Sequence, residues 1–306
     1  MNLHHLRLFA AVVNHGGFTK AAESLRLSQP AISKSLNELE RQLNLTLIDR
    51  SGRSLRLTDA GRTLYARARE LFGVEWIAEQ ELREIRGLKR GVLRIGASTT
   101  IATYMLPPFL GRFHLRHPGI RIRASSANTR TVLRMLLESR VDVALVEGPV
   151  SHAQVEVKPW REDELVVICH PRHELLSHDD IDVAMLVREQ FIVREPGSGT
   201  RDVSARALAL HGARLTNTMR VGGTEAIKQA VAAGLGLAIV SRAAAADQLA
   251  LGKIAVLSVN GLAIRRTLAQ IKLRGRATTA AARELELLLA HEAADDDGGD
   301  ASGTPG

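Results

Sequence analysis

Residues 18–40 read FTKAAESLRLSQPAISKSLNELE, two apolar-periodic stretches with a break at Ser28-Gln29-Pro30. Ser28 is placed to cap the second stretch, and Pro30 falls in its first turn, where a missing N–H costs nothing. Ile32, Leu36, Leu39 and Leu43 keep the helical period and span a stripe only ~60° wide. The opposite side carries Pro30, Lys34, Asn37 and Arg41, with Gln29 and Ser33 on the flank. So narrow a seam serves one small core and leaves the other side for a different use. Donors and acceptors of this kind read base edges and hold phosphates in a major groove. A small helical bundle with a solvated face is the plainer alternative.

The flanking sequence favours the groove reader. Leu6, Phe9, Ala10 and Val13 recur at helical spacing and predict a helix over 3–14, ended by Gly16-Gly17. The first quoted stretch is expected as a helix over 20–26, with Thr19 as its cap and Phe18 just outside. Downstream, NLTLIDRSGRSLRLTDAG (44–61) reads as two short strands around Ser51-Gly52. Arg50, Arg53 and Arg56 cluster there, so the hairpin is a basic wing suited to phosphates or a minor groove. Residues 1–58 carry eight Lys and Arg against four Asp and Glu. Together these features spell a winged helix-turn-helix.

From 59 to 86 there is no proline, and Leu64, Ala68, Leu71, Ala78, Leu82 and Ile85 alternate by four and three. Glu75 stands where a further apolar member is due. This is a coiled-coil-like seam on one long helix, unless that helix lies on a domain surface. RGLKRG (86–91) has the glycines and charges of a linker. After Gly91 the pattern alternates strand and helix, with VLRIGAS, IRIRASS, VDVALVEG, DELVVICH, QFIVRE and LGLAIVS as strands and a helix expected over 179–187. Such alternation predicts a parallel-rich α/β sheet with ligands at the carboxyl ends of its strands.

Ser98-Thr99-Thr100 follows a strand and opens a helix, as does Thr129. Ser198, Gly199, Thr200 and Arg201 start another, and Thr224 opens a fourth after Val221-Gly222-Gly223. Free N–H groups and the positive helix end suit an anion, and Arg201 adds a charge-assisted contact. Taken singly, each of these hydroxyl residues reads more readily as an ordinary N-cap.

Residues 6–61 carry a run of positions, from LRLFAAVV through GGFTKAAESL, SQPAISKSLNELE and LIDR to LTDAG, that resembles the DNA-binding domain of LysR-type transcriptional regulators. The resemblance extends over nearly the whole chain. It implies an α/β protein overall: a winged helix-turn-helix (1–58), a linker and dimerisation helix (59–87) and a two-lobed sensor similar to type-2 periplasmic binding proteins (88–292). Lobe I would take about 91–168 and 265–292, and lobe II about 169–264. By resemblance Gln29, Pro30, Ser33 and Arg53 contact DNA, and the helix geometry adds Lys34, Asn37 and Arg50. The resemblance also brings Ser98, Thr99, Thr100, Thr129, Ser198, Gly199, Thr200, Arg201 and Thr224 to one cleft. A cleft of this kind implies a small carboxylate or inorganic oxyanion as effector, and the PGSGTR loop, most like that of regulators of sulfur assimilation and carbon fixation, favours an oxyanion or a phosphorylated metabolite. Expected partners are a double-stranded DNA operator, further copies of the chain in a homodimer that assembles to a homotetramer, and RNA polymerase.

Bulk properties bound these readings. The 306 residues suffice for two or three domains, and 45% are hydrophobic but only 3% aromatic, so the cores are aliphatic. A formal charge of +8 favours polyanion partners. Cys169 is the one cysteine, which excludes a sensor built on an internal disulfide. His4-His5, His114/His117 and His170/His173 are short-spaced pairs that no cysteine or carboxylate cluster completes, so no metal and no cofactor are expected. Ser198 lies in GSG, not in a nucleophile elbow, so no enzyme is expected. There is no apolar run of membrane-span length and no secretion signal, so a cytoplasmic protein is expected, with an acidic disordered tail over 293–306. The competing readings are a solute-binding protein for a small anion, or an α/β enzyme acting on one, with no DNA role.

Overall fold

The computed structural model describes residues 1–49, 55–84 and 91–296. The chain divides into two compact units, 1–79 and 80–306.

In the first unit, α1 (Leu3–His15), α2 (Phe18–Leu25) and α3 (Gln29–Leu43) are followed by β1 (Ile48–Asp49), β2 (Arg56–Leu57) and α4 (Asp59–Glu84). Gly16, in the left-handed region at φ 70°, ends α1. Helix α2 starts at Phe18 rather than at 20, and Gly17, not Thr19, is its N-cap, without a side-chain bond. Phe18 packs on the core, which draws the helix start back past Thr19. Ser28 caps α3 as expected, its Oγ accepting from Ala31 N at 3.3 Å. Ile32, Leu36 and Leu39 are fully buried with Phe9 and Val12 of α1. The two short strands pair antiparallel. The Glu40 carboxylate accepts from Leu47 N at 2.7 Å and Ile48 N at 3.2 Å, tying α3 to β1.

The predicted α4 seam splits in use. Leu64, Ala68 and Phe72 pack into this core, while Leu71, Val74 and Leu82 are exposed. Glu75 is not a flaw in the seam: its carboxylate pairs with Arg7 at 2.5 Å, and Arg7 also lies over the Phe72 ring at 4.4 Å. Ile85 lies outside the described residues.

In the second unit, β3 (Gly91–Ser98), a π-turn (Ile101–Met105), α5 (Pro107–Arg116), β4 (Ile120–Ala127), α6 (Thr129–Leu137) and β5 (Val143–Glu147) build the first lobe, and β6 (Val155–Cys169) leaves it. The second lobe contains α7 (Val183–Leu186), β7 (Phe191–Val193), α8 (Gly199–Leu210), β8 (Thr218–Arg220), α9 (Thr224–Ala232), β9 (Ala238–Ser241), α10 (Arg242–Ala250) and β10 (Ala255–Leu257). Strand β11 (Ile264–Leu273) returns to the first lobe, which α11 (Ala280–Asp296) completes. The helix expected over 179–187 is only the single turn of α7, capped by Asp182.

Among the described residues seven strands form one sheet, ordered β10-β6-β11-β5-β3-β4, with β9 also on β6. The expected parallel pairing holds for β3 with β4 and β5, and for β7 with β8. Elsewhere it gives way to antiparallel pairs, because the two long strands β6 and β11 cross between lobes in opposite directions. Leu165 pairs with Ile264 on one edge and with Ser241 on the other. The change of lobe therefore lies at 161–165 in β6, not at Cys169, which is fully buried in the second lobe's core. Beyond the crossing, β6 alternates strictly: Leu165, Val167 and Cys169 enter one apolar cluster, Val166 and Ile168 the other. Helix α11 runs to Asp296, past the point at 293 where a tail was expected; 297–306 lie outside the described residues.

At the crossing sits Arg266 of β11, 5% exposed. Its Nε donates to Asp163 at 2.7 Å and its Nη1 to Thr200 Oγ1 at 2.9 Å. Nη2 stands 2.7 Å from Glu147 Oε2, an electrostatic contact rather than a directed hydrogen bond. Replacing Arg266 by alanine leaves two buried carboxylates uncompensated, so Arg266→Ala is expected to lower the unfolding free energy by about 3–5 kcal/mol. Urea denaturation of the full chain measures this, and a loss below about 1 kcal/mol contradicts the role given to the cluster.

Candidate functional site: a nucleic-acid face and an interlobe cleft

The first candidate surface is the outer side of α3. Gln29, Pro30, Ser33, Lys34, Asn37, Glu38 and Arg41 bound one shallow, open depression. All are exposed except Ser33 and Glu38, which are half-buried. The narrow apolar stripe causes this: with Ile32, Leu36 and Leu39 inward, these side chains have no core to enter. Glu38 is the one acid on this face, and Arg41 and Gln42 hold it, at 2.7 Å and 3.1 Å from Oε1. Those hydrogen bonds lower its pKa and keep the carboxylate occupied. Lys34 has no acid partner among the described residues. Arg50 and Arg53, the wing candidates, lie outside the described residues.

The second candidate is the cleft between the lobes. Ser98 ends β3, and Thr99 and Thr100 follow; Thr129 opens α6 and Thr224 opens α9. The N-cap alternative fails at three of these places. Asn128 caps α6, its Oδ1 accepting from Thr131 N at 3.0 Å, so Thr129 is free to donate to Glu147 O at 2.8 Å. Gly223 is the N-cap of α9. Ser198 is the N-cap of α8 but its side chain makes no capping bond. Ser198 Oγ and Ser98 Oγ are both buried without a hydrogen-bond partner. Buried hydroxyls take hydrogen-bond partners, and a small molecule in the cleft would supply one to each.

Gly199 is where the lobes touch backbone to backbone. A Cβ there would stand 1.8 Å from Glu147 O and 2.9 Å from Thr129 Oγ1, so no other residue fits. Thr200 accepts from Arg266, as described. Arg201 Nη1 donates to Arg194 O at 3.3 Å. Arg130 N, in the first lobe, donates to Gly197 O at 3.2 Å, and the Tyr104 hydroxyl meets Glu225 across the same seam.

Sequence reasoning missed the group at the centre. Arg194, 5% exposed, donates from Nη1 to Thr224 Oγ1 at 3.0 Å and from Nη2 to Thr99 Oγ1 at 3.3 Å, so it links hydroxyls from both lobes. Its counterion is its chain neighbour, Glu195, at 2.9 Å from Nε and 3.0 Å from Nη2. Asn128 Nδ2 donates to the same carboxylate at 3.2 Å. A bidentate guanidinium–carboxylate pair at the end of a short strand has no sequence motif; only the adjacency Arg-Glu before Pro196-Gly197 hinted at it. Among the described residues no cluster of three or more His, Cys, Asp or Glu is placed to hold a metal ion. Burial pushes the Cys169 thiol up to about 11, so it is a poor nucleophile at neutral pH.

A helix-turn-helix unit with an outward reading face, on the same chain as a two-lobed domain with a polar cleft, is the plan of a ligand-responsive transcriptional regulator. The chain matches the model of the bacterial regulatory helix-turn-helix protein, lysR family, over residues 3–62 and that of the LysR substrate binding domain over 86–294. It belongs to the LysR family of DNA-binding transcriptional regulators, with an effector-binding domain. It is 35% identical to the RuBisCO operon transcriptional regulator of Allochromatium vinosum over 294 residues, 96% of this chain and 97% of that one. Among solved structures it is similar to a full-length OxyR variant of Pseudomonas aeruginosa, with a TM-score of 0.70 and 25% identity over 94% and 93% of the two chains. It is also similar to the CcmR regulatory domain of Synechocystis PCC6803 in complex with 2-PG, with a TM-score of 0.60 and 28% identity over 66% and 97%.

The hydrogen bonds from Arg194 hold the Glu195 carboxyl at about 2, far below its ordinary 4.5. A lowered carboxyl stabilises the fold fully above pH 4.5, and that contribution falls away as the pH drops from there to about 2. Acid unfolding of Glu195→Gln is therefore expected to show a shallower loss of stability than the wild type over this window. Parallel curves contradict the linkage.

Proposed function

We propose that the protein is a transcriptional regulator of the carbon-fixation or sulfur-assimilation type whose effector is a small oxyanion or carboxylate. The observation that carries the anion is Arg194: a buried guanidinium flanked by Thr99 and Thr224, in a cleft with two unsatisfied hydroxyls, Ser98 Oγ and Ser198 Oγ. A cation and convergent donors in a low-dielectric site favour an anion of few atoms. Thr100, Thr129, Gly199, Thr200 and Arg201 complete the proposed lining. The similarity to the RuBisCO operon regulator and to the 2-PG-bound CcmR domain supports this effector class. The anion replaces or joins Glu195 on Arg194, and the differential contacts it makes shift how the two lobes close.

Gln29, Pro30, Ser33, Lys34 and Asn37 read the operator from the major groove, and Arg50 and Arg53 contact phosphate from the wing. The exposed Leu71, Val74 and Leu82 of α4 pair with a second copy, and the dimer assembles to a tetramer that works with RNA polymerase in the cytoplasm. The protein acts by binding, not turnover.

On its own upstream region, gel shifts at about 50 and 200 mM salt are expected to differ in affinity by about three orders of magnitude. Gln29→Ala with Ser33→Ala is expected to reduce operator preference, and unchanged occupancy overturns the reading face. Calorimetric titration with sulfate, phosphate and glycolate is expected to find at least one saturable ligand. Thr99→Ala should weaken it about tenfold and Arg194→Ala should abolish it. Undiminished binding in Arg194→Ala removes the guanidinium from the site.

A further inference from the structure

Behind the cleft, the second lobe holds a cavity of about 260 Å³ bounded by β7, β8, β9, α8 and α9. At a water's share of roughly 30 Å³ it has room for about nine waters, the size of a small organic molecule. Leu208, Ile227 and Ile239 wall it. All three are buried, and an apolar interior of this kind gives water few partners. Ala205, Arg214 and Thr218 are the exposed members of the lining and mark its open side; Arg201, half-buried, lies with them.

The two arginines differ from several others of this domain. Arg94, Arg194, Arg242 and Arg266 each have a carboxylate within ion-pair distance. Arg201 donates only to a carbonyl, Arg194 O, and neither Arg201 nor Arg214 has an acid partner among the described residues. Two uncompensated guanidinium groups beside an apolar cavity are complementary to a molecule with an anionic head and a hydrocarbon body. The hydrocarbon half of that molecule does not suit the interlobe cleft, which is lined by hydroxyls.

We propose that this cavity is a second small-molecule site that takes an amphipathic monocarboxylate of about eight carbons, its carboxylate on Arg201 and Arg214 and its chain among Leu208, Ile227 and Ile239. Arg194 and Thr200 line this cavity as well as the cleft, so its occupant touches the anion site from behind. The inference does not depend on the identity of the cleft ligand.

The test is calorimetric titration of the full chain with hexanoate, octanoate and decanoate. Each methylene buried is expected to strengthen binding about fourfold, with the gain ending near eight carbons, where the cavity is full. Octanol, which lacks the charge, is expected to bind about tenfold or more weakly than octanoate. Ala205→Trp, at the open side, is expected to abolish octanoate binding, and Arg214→Ala to weaken it about tenfold. If Ala205→Trp fails to fold, the exposed change Arg214→Glu carries the test, with the same direction expected. No saturable octanoate binding, or equal affinity in these variants, overturns the proposal. So does one-for-one competition by sulfate, which would put octanoate in the cleft. Octanoate binding that survives Arg194→Ala, while sulfate binding never appears, sinks the cleft reading and leaves this one standing.

Discussion

The arrangement of the effector domain rests on Arg266. Two strands carry the chain between lobes, and both do so where this guanidinium lies buried with Glu147 of one lobe, Asp163 of the crossing strand and Thr200 of the other lobe. Ser241 donates to Asp163 at 2.7 Å and closes the cluster. Burying three charges is costly, and the mutual attraction offsets that cost only while the geometry is held. The crossing is thereby fixed at one register, and the hydroxyl-bearing ends of β3, α6, α8 and α9 are aimed into a common space. The cleft follows from the crossing.

The DNA-reading unit meets a different constraint. A reading helix must give most of its surface away and still stay folded. Helix α3 does so with three fully buried aliphatic residues on one stripe, Ile32, Leu36 and Leu39, and with Glu40, whose carboxylate satisfies two backbone N–H groups of the segment entering the wing. The Arg7–Glu75 pair, stacked on Phe72, fastens α1 to α4 from outside the core. On the outer face of α3, Glu38 and Arg41 hold each other.

Much of this was legible in the residues. Ser28, Pro30 and the apolar stripe place α3 without reference to any partner, because caps and periodicity are local. The apolar run Leu165–Cys169 announces a doubly covered strand. What stayed hidden depends on tertiary partners. The first half of β6, VEVKPWRE, is polar and contains Pro159, so it reads as a loop; it is a strand because β11 lies beside it. Glu75 reads as a break until Arg7 is seen against it. In the candidate site, the hydroxyl residues were visible as residues after strands, but Arg194 was not, since its meaning lies in Thr99 and Thr224, far away in sequence. The cap expected at Thr19 falls to Gly17, and the cap positions beside Thr129 and Thr224 are held by Asn128 and Gly223.

Gly199 has a further consequence. Its hydrogen is all that separates the first turn of α8 from the carbonyl of Glu147, so the two lobes meet there with no slack. Any side chain at this position would act as a doorstop, propping the jaws ajar whatever the solution contains. A methyl group there would have to push the helix start and the Glu147 carbonyl apart, which makes this position a gauge of how closely the two lobes must meet.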